Sequence, residues 1–159
     1  MPAPVTTDLV WKEIEKRLFA VLSFVTPKGQ ARSAGIVYVV RDRVLFIGTG
    51  TDSWKAKHIA RNPSVALCVN IPKRIPFLPW VKIPDATISF SATARVLPID
   101  ETDPEILDAL LEGMVDDPKI REGNVVLEIR PVGDFVTYGV GVPMMDMRDP
   151  EKARGRAPV

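Results

Sequence analysis

Residues 46–63 read FIGTGTDSWKAKHIARNP, from Phe46 to Pro63. An apolar strand ending at Gly48-Thr49 runs into Thr51, Asp52 and Ser53, three residues of the kind that cap helices. A helical stretch from Trp54 to Arg61 follows. Asn62-Pro63 stops it, because the proline ring disfavours a helical residue before it. The first N–H groups of a helix have no partner within the helix and carry partial positive charge. The hydroxyls of Thr49, Thr51 and Ser53 and the ammonium groups of Lys55 and Lys57 add donors, so the junction can act as a phosphate cradle. The same residues also suit an ordinary capped surface helix with solvated lysines, and Asp52 opposes a phosphate beside it.

Working outward, strand signals lie on both sides. Leu18 to Thr26 (LFAVLSFVT) is rich in branched and aromatic residues, and Pro27-Lys28-Gly29-Gln30 is a turn. A second strand is predicted from Arg32 to Val40, with burial on both faces of its apolar end, Ile36 to Val40. Val44 to Thr49 and Ser64 to Asn70 are the third and fourth strands. Residues 71–86 carry Pro72, Pro76, Pro79 and Pro84 and predict irregular backbone. Thr87 to Leu97 alternates strictly: Ser89, Ser91, Thr93 and Arg95 share one face, and Ile88, Phe90, Ala92, Ala94 and Val96 the other. Val125 to Arg130 and Phe135 to Val140 are two last strands joined through Pro131 to Asp134.

Two further helices are expected. Asp8 is placed to cap one from Leu9 to about Arg17, with Val10, Ile14 and Leu18 on one face. Asp103-Pro104 starts another, running to about Val115 with Ile106, Leu107, Leu110, Leu111 and Met114 as its stripe. Hairpin-length links and six or seven strands predict a mainly β, antiparallel barrel with peripheral helices. Residues 1–142 are read as one domain and 143–159 as a polar tail holding Met144, Met145 and Met147.

Composition narrows the function. The 159 residues suit one domain, and 21 Lys and Arg against 20 Asp and Glu give a net charge of +1. That balance argues against a nucleic-acid or anionic-membrane partner. The single cysteine, Cys68, allows no disulfide within the chain and no cysteine-based metal cluster, which fits a reducing cytoplasm. It is read as an inert core residue. Met1 to Asp8 lacks the pattern of a secretory signal, and no apolar run approaches membrane-spanning length.

The order strand, Gly-Thr, linker, Ser-x-Lys, helix, Asn-Pro, strand resembles the pyridoxamine 5′-phosphate oxidase-like FMN-binding split barrels, and the resemblance in element order extends over roughly residues 10–142. It implies a six- to seven-stranded antiparallel split β-barrel working as a homodimer, with the cofactor site at the subunit interface. It implies FMN as cofactor, its phosphate met by Thr49, Ser53 and Lys55. Trp54 stands where the family often has arginine, and Lys57 is the candidate replacement. Thr51 belongs to the same junction. Arg32, followed by Ser33-Ala34-Gly35, stands where the family places an arginine facing the flavin. These small residues suit close approach of a flat ring. As a bare residue, Arg32 is equally a solvated charge at a strand start.

The Arg-x-His pair of true pyridoxamine phosphate oxidases is absent, since His58 is the only histidine. The resemblance therefore points to the flavin or F420 reductase branch, acting on a small, flat, conjugated substrate. No side chain is assigned a catalytic role and no metal site is expected. In the F420 alternative, Lys57, Arg61, Lys73 and Arg74 meet the anionic tail. In a further alternative, the chain binds heme or flavin without turnover, and His58 and the methionines are the residues that could serve. The Pro-rich segment has two readings: a loop over the flavin with Phe77 and Trp80 as an apolar wall and Lys73, Arg74 and Lys82 meeting an anion, or a rigid surface loop that buries its own aromatics, a dimer contact being one place for this.

Overall fold

The computed structural model describes residues 4–159, so Met1 to Ala3 of the N-terminal reading lie outside the described residues. The strands are β1 (Phe19–Val25), β2 (Ala31–Val37), β3 (Val39–Arg41), β4 (Val44–Gly50), β5 (Ser64–Ile71), β6 (Ala86–Leu97), β7 (Asn124–Tyr138) and β8 (Arg154–Pro158). The helices are α1 (Thr7–Glu15), α2 (Trp54–Arg61), α3 (Pro104–Leu111), α4 (Pro118–Gly123) and α5 (Pro150–Ala153). The strands hydrogen-bond in the order β2-β1-β5-β6-β7-β4-β3, with β8 also on β7. The pairs β1–β2, β3–β4, β4–β7 and β7–β8 are antiparallel. The fold class is the mainly β split barrel expected from the sequence.

The chain forms two compact units. One takes in the N-terminal stretch to Arg17, Cys68–Phe90 and Gly133–Val159. Its core holds Phe135, whose ring meets Trp11 and Phe90 edge-on at centroid distances of 5.5 and 5.2 Å. Met147 is buried in the same unit, and its carbonyl accepts a hydrogen bond from Tyr138 Oη at 2.6 Å. Gly139 has φ +74°, and a Cβ there would lie 2.4 Å from Met147 Cε. Gly139→Ala is therefore expected to cost about 2 kcal/mol, from left-handed strain and overlap together, read as a lowered midpoint in urea unfolding.

The other unit is Leu18–Leu67 with Ser91–Val132. Tyr38, Leu22, Leu45, Ile47, Ile59, Leu67, Leu127 and Ile129 are its largest fully buried side chains. A second cluster in it packs α3, through Ile106 and Leu107, on Val44, Phe46, Leu97, Ile99 and Val126. Arg41 and Glu105 form an ion pair between β3 and α3.

Several boundaries differ from the sequence expectation, each for a local reason. Thr6, not Asp8, caps α1, its Oγ1 accepting from Leu9 N at 3.2 Å. That starts and ends the helix two residues early, so Leu18 falls off its face and is exposed. The predicted second strand is two. β2 pairs with β1 and β3 with β4, and the chain changes partner at Tyr38. Ile36 and Tyr38 are buried while Val37 is 62% exposed, so burial there is on one face only.

The helix after Asp103 stops at Leu111 because Glu112 and Gly113 take left-handed backbone, and Met114 is left exposed. The two predicted final strands are one, β7, which continues through Pro131–Asp134 with Gly133 at φ +77° and ends at Tyr138 rather than Val140. The stretch read as a tail carries α5 and β8, and Met147 is a core residue. Cys68 is only half-buried, on the outward side of β5. Residues 72–85 are irregular, as expected, and Phe77 and Trp80 are 88% and 73% exposed in the single chain, so the loop does not bury them within its own subunit.

Candidate functional site

The strand-to-helix junction forms as its sequence requires. Ser53 is the N-cap of α2, and its Oγ accepts from Ala56 N at 3.2 Å. Thr49, nearly buried at the end of β4, donates from Oγ1 to the same oxygen at 3.1 Å. Both acceptor positions of Ser53 are then filled, which leaves its own proton free to donate outward. The N–H groups of Trp54 and Lys55, in the first turn, have no partner within the helix. Lys55 is half-buried and has no ion-pair partner among the described residues. Lys57 differs: it is exposed and lies 3.8 Å from Asp52.

Two recesses flank this junction. The first, about 760 Å³, is bordered by Thr26, Pro27, Lys28, Gln30, Arg32, Ser33, Trp54 and His58. None of these is a carboxylate. Arg32 is steadied by Gln30 Oε1 at 3.1 Å and has no acidic partner among the described residues. The second, about 300 Å³, is bordered by Gly35, Ile36, Val37, Val39, Ile47, Gly48, Lys55, Ala109, Leu110 and Glu112. Ser33 and Gly35 are successive positions on one face of β2, and Trp54 and Lys55 are consecutive on α2, so the two recesses adjoin.

The predicted residues are thus distributed as follows. Arg32, Ser33 and Trp54 meet in the first recess, and Lys55 lies in the second. Thr49 and Ser53 form the hydroxyl pair described above. Thr51 turns toward α4, bonding Gly123 O through its N–H at 2.9 Å, and lines a separate recess with Arg121 and Pro98. The sequence reading missed Leu110, on α3, and Glu112, just past its end, which carry no local signal of the site. It also missed Lys28 and Gln30, which it had read only as turn residues. His58 stacks on Phe24 with centroids 6.2 Å apart. Arg156, in the Arg-x-Arg of β8, pairs with Asp134 at 3.1 Å.

The family model for pyridoxamine 5′-phosphate oxidase matches residues 7–133. The chain belongs to the pyridoxamine 5′-phosphate oxidase family. No curated protein matches it in sequence. Solved structures with the family's fold include an F420 reductase, 20% identical, covering 78% of this chain and 94% of its own at a TM-score of 0.55. HutZ, a heme storage protein from Vibrio cholerae, is 16% identical, with 86% and 98% covered and a TM-score of 0.63. An FAD-binding protein from Mesorhizobium loti is 13% identical, with 80% and 90% covered and a TM-score of 0.62. At these identities the likeness is one of fold. No helix among the described residues is long and apolar enough to cross a membrane.

Proposed function

We propose that this member of the pyridoxamine 5′-phosphate oxidase family is a flavin-dependent oxidoreductase acting on a small, flat, conjugated substrate. The observation that carries this reading is the junction of Thr49, Ser53 and Lys55: a hydroxyl proton left free to donate, open first-turn N–H groups and a half-buried lysine with no ion-pair partner among the described residues. These are the donors an FMN phosphate requires. Beside them the glycines Gly35 and Gly48, with Ile47 and Leu110, border a recess of mixed polarity that suits a flat ring with polar edges. The chain's residues fit the group. Ser53 and Lys55 would hold its phosphate, with Arg32 beyond it in the adjoining recess, and Ile47, Gly35 and Gly48 would border its ring.

A bound flavin supplies hydride or electron transfer, and the protein supplies orientation and exclusion of water. The exposed apolar side chains Leu18, Phe19 and Val37 support a homodimer, with a second copy completing the site. A cytoplasmic location is part of the same proposal. F420 is the second reading, favoured by the unpaired Lys28 and Arg32 of the first recess, which suit an anionic tail. Lys57, assigned to that tail from sequence, is engaged with Asp52.

The test is the visible spectrum of the purified protein together with mass spectrometry of any released ligand. A yellow protein with a flavin band near ~450 nm is expected, since the cofactor carries that chromophore. A colourless protein that neither FMN nor F420 saturates would overturn the proposal.

A further inference from the structure

The first recess is larger than the flat-ring recess beside it, about 760 against 300 Å³, and differs from it in chemistry. Its floor is aromatic. The buried Phe24 holds Trp54 at a centroid distance of 5.4 Å and His58 at 6.2 Å, and Trp54 and His58 meet edge-on at 5.9 Å. Trp54 is therefore braced on two sides, yet 50% of it stays exposed. Its rim holds the cations Lys28 and Arg32, neither ion-paired among the described residues. Glu112 borders only the smaller recess. Anionic groups are thus favoured in the larger one, and a planar group finds a rigid ring to stack on.

We propose that this recess receives the adenylate half of a dinucleotide flavin, the base against Trp54 and its phosphate beside Arg32 and Lys28. This rests on the reading above, in which the FMN half occupies the adjoining recess. Trp54 offers a base a fixed and half-exposed aromatic face. An oligoglutamate tail would use Lys28 and Arg32 yet leave the indole uncovered. The adenylate uses both.

The experiment titrates FAD, FMN, F420 and ADP separately into the full chain freed of bound ligand, by calorimetry, for the native protein, Trp54→Ala and Trp54→Phe. FAD is expected to bind roughly tenfold more tightly than FMN, the scale of one base stacked on an aromatic ring. Trp54→Ala brings the two affinities together, and Trp54→Phe keeps most of the difference. Equal affinities in the native protein, or a preference for FAD that Trp54→Ala leaves intact, would overturn the proposal. So would F420 binding more tightly than FAD. If FMN and FAD both fail but ADP binds in a Trp54-dependent way, the nucleotide site stands and the flavin reading falls. If FMN binds and FAD gains nothing, the reverse holds. If no ligand binds, both fall.

Discussion

Lys55→Ala weakens FMN binding by about one to two orders of magnitude, the effect of removing a charge-assisted hydrogen bond worth ~1.5–3 kcal/mol. Lys55 follows the N-cap of α2 by two residues and is half-buried, so its ammonium is less screened than a surface lysine's. No described carboxylate forms an ion pair with it, although Glu112 borders the same recess. The control is Lys57→Ala. Lys57 sits two residues further on, exposed and loosely paired with Asp52, and its loss weakens binding by no more than about twofold. Fluorescence titration of both variants at low and moderate salt separates the two lysines. Equal losses would show that the junction attracts the ligand by diffuse charge and not by a built contact.

Phe135→Ala removes the centre of the aromatic cluster in its unit and costs about 3–5 kcal/mol, a large share of an ordinary domain's 5–15 kcal/mol. Phe135 is fully buried and meets two rings edge-on, so truncation leaves a cavity lined by Trp11 and Phe90. Trp11 has a specific vulnerability. Its Nε1 is buried without a hydrogen-bond partner among the described residues, so packing against Phe135 carries much of its positioning. The variant should show a red-shifted indole emission together with a lowered unfolding midpoint. A loss under ~1 kcal/mol would mean that neighbouring side chains collapse into the space.

The sequence was most legible where one local rule dominated. Trp54–Arg61 was read to the residue because Ser53 caps it and Asn62-Pro63 ends it. β6 was legible from strict alternation, its residues buried and open in turn. Long-range partners were not legible. Nothing local says that β2 hands over to β3 at Tyr38, because the change is set by pairing with β1 on one side and β4 on the other. The short helices α4 and α5 were missed although Asp117-Pro118 and Asp149-Pro150 repeat the Asp-Pro start recognised at Asp103-Pro104. At the site, the polar junction was visible in one continuous segment. The residues that shape its surroundings come from the β1–β2 turn and from α3, and only folding brings them there.

The pairing of β4 with β7 has a consequence for synthesis on the ribosome. Leu45–Gly50 takes its hydrogen-bonded neighbour from Asn124–Ile129. While the chain grows, Leu45, Phe46 and Ile47 present one unpaired backbone edge until roughly eighty further residues have emerged, some four to sixteen seconds at ordinary elongation rates. An apolar strand with an open edge invites pairing with a neighbouring nascent chain. The burden on chaperones during expression should therefore fall on this strand, and slower translation between α2 and β7 should lower the soluble yield.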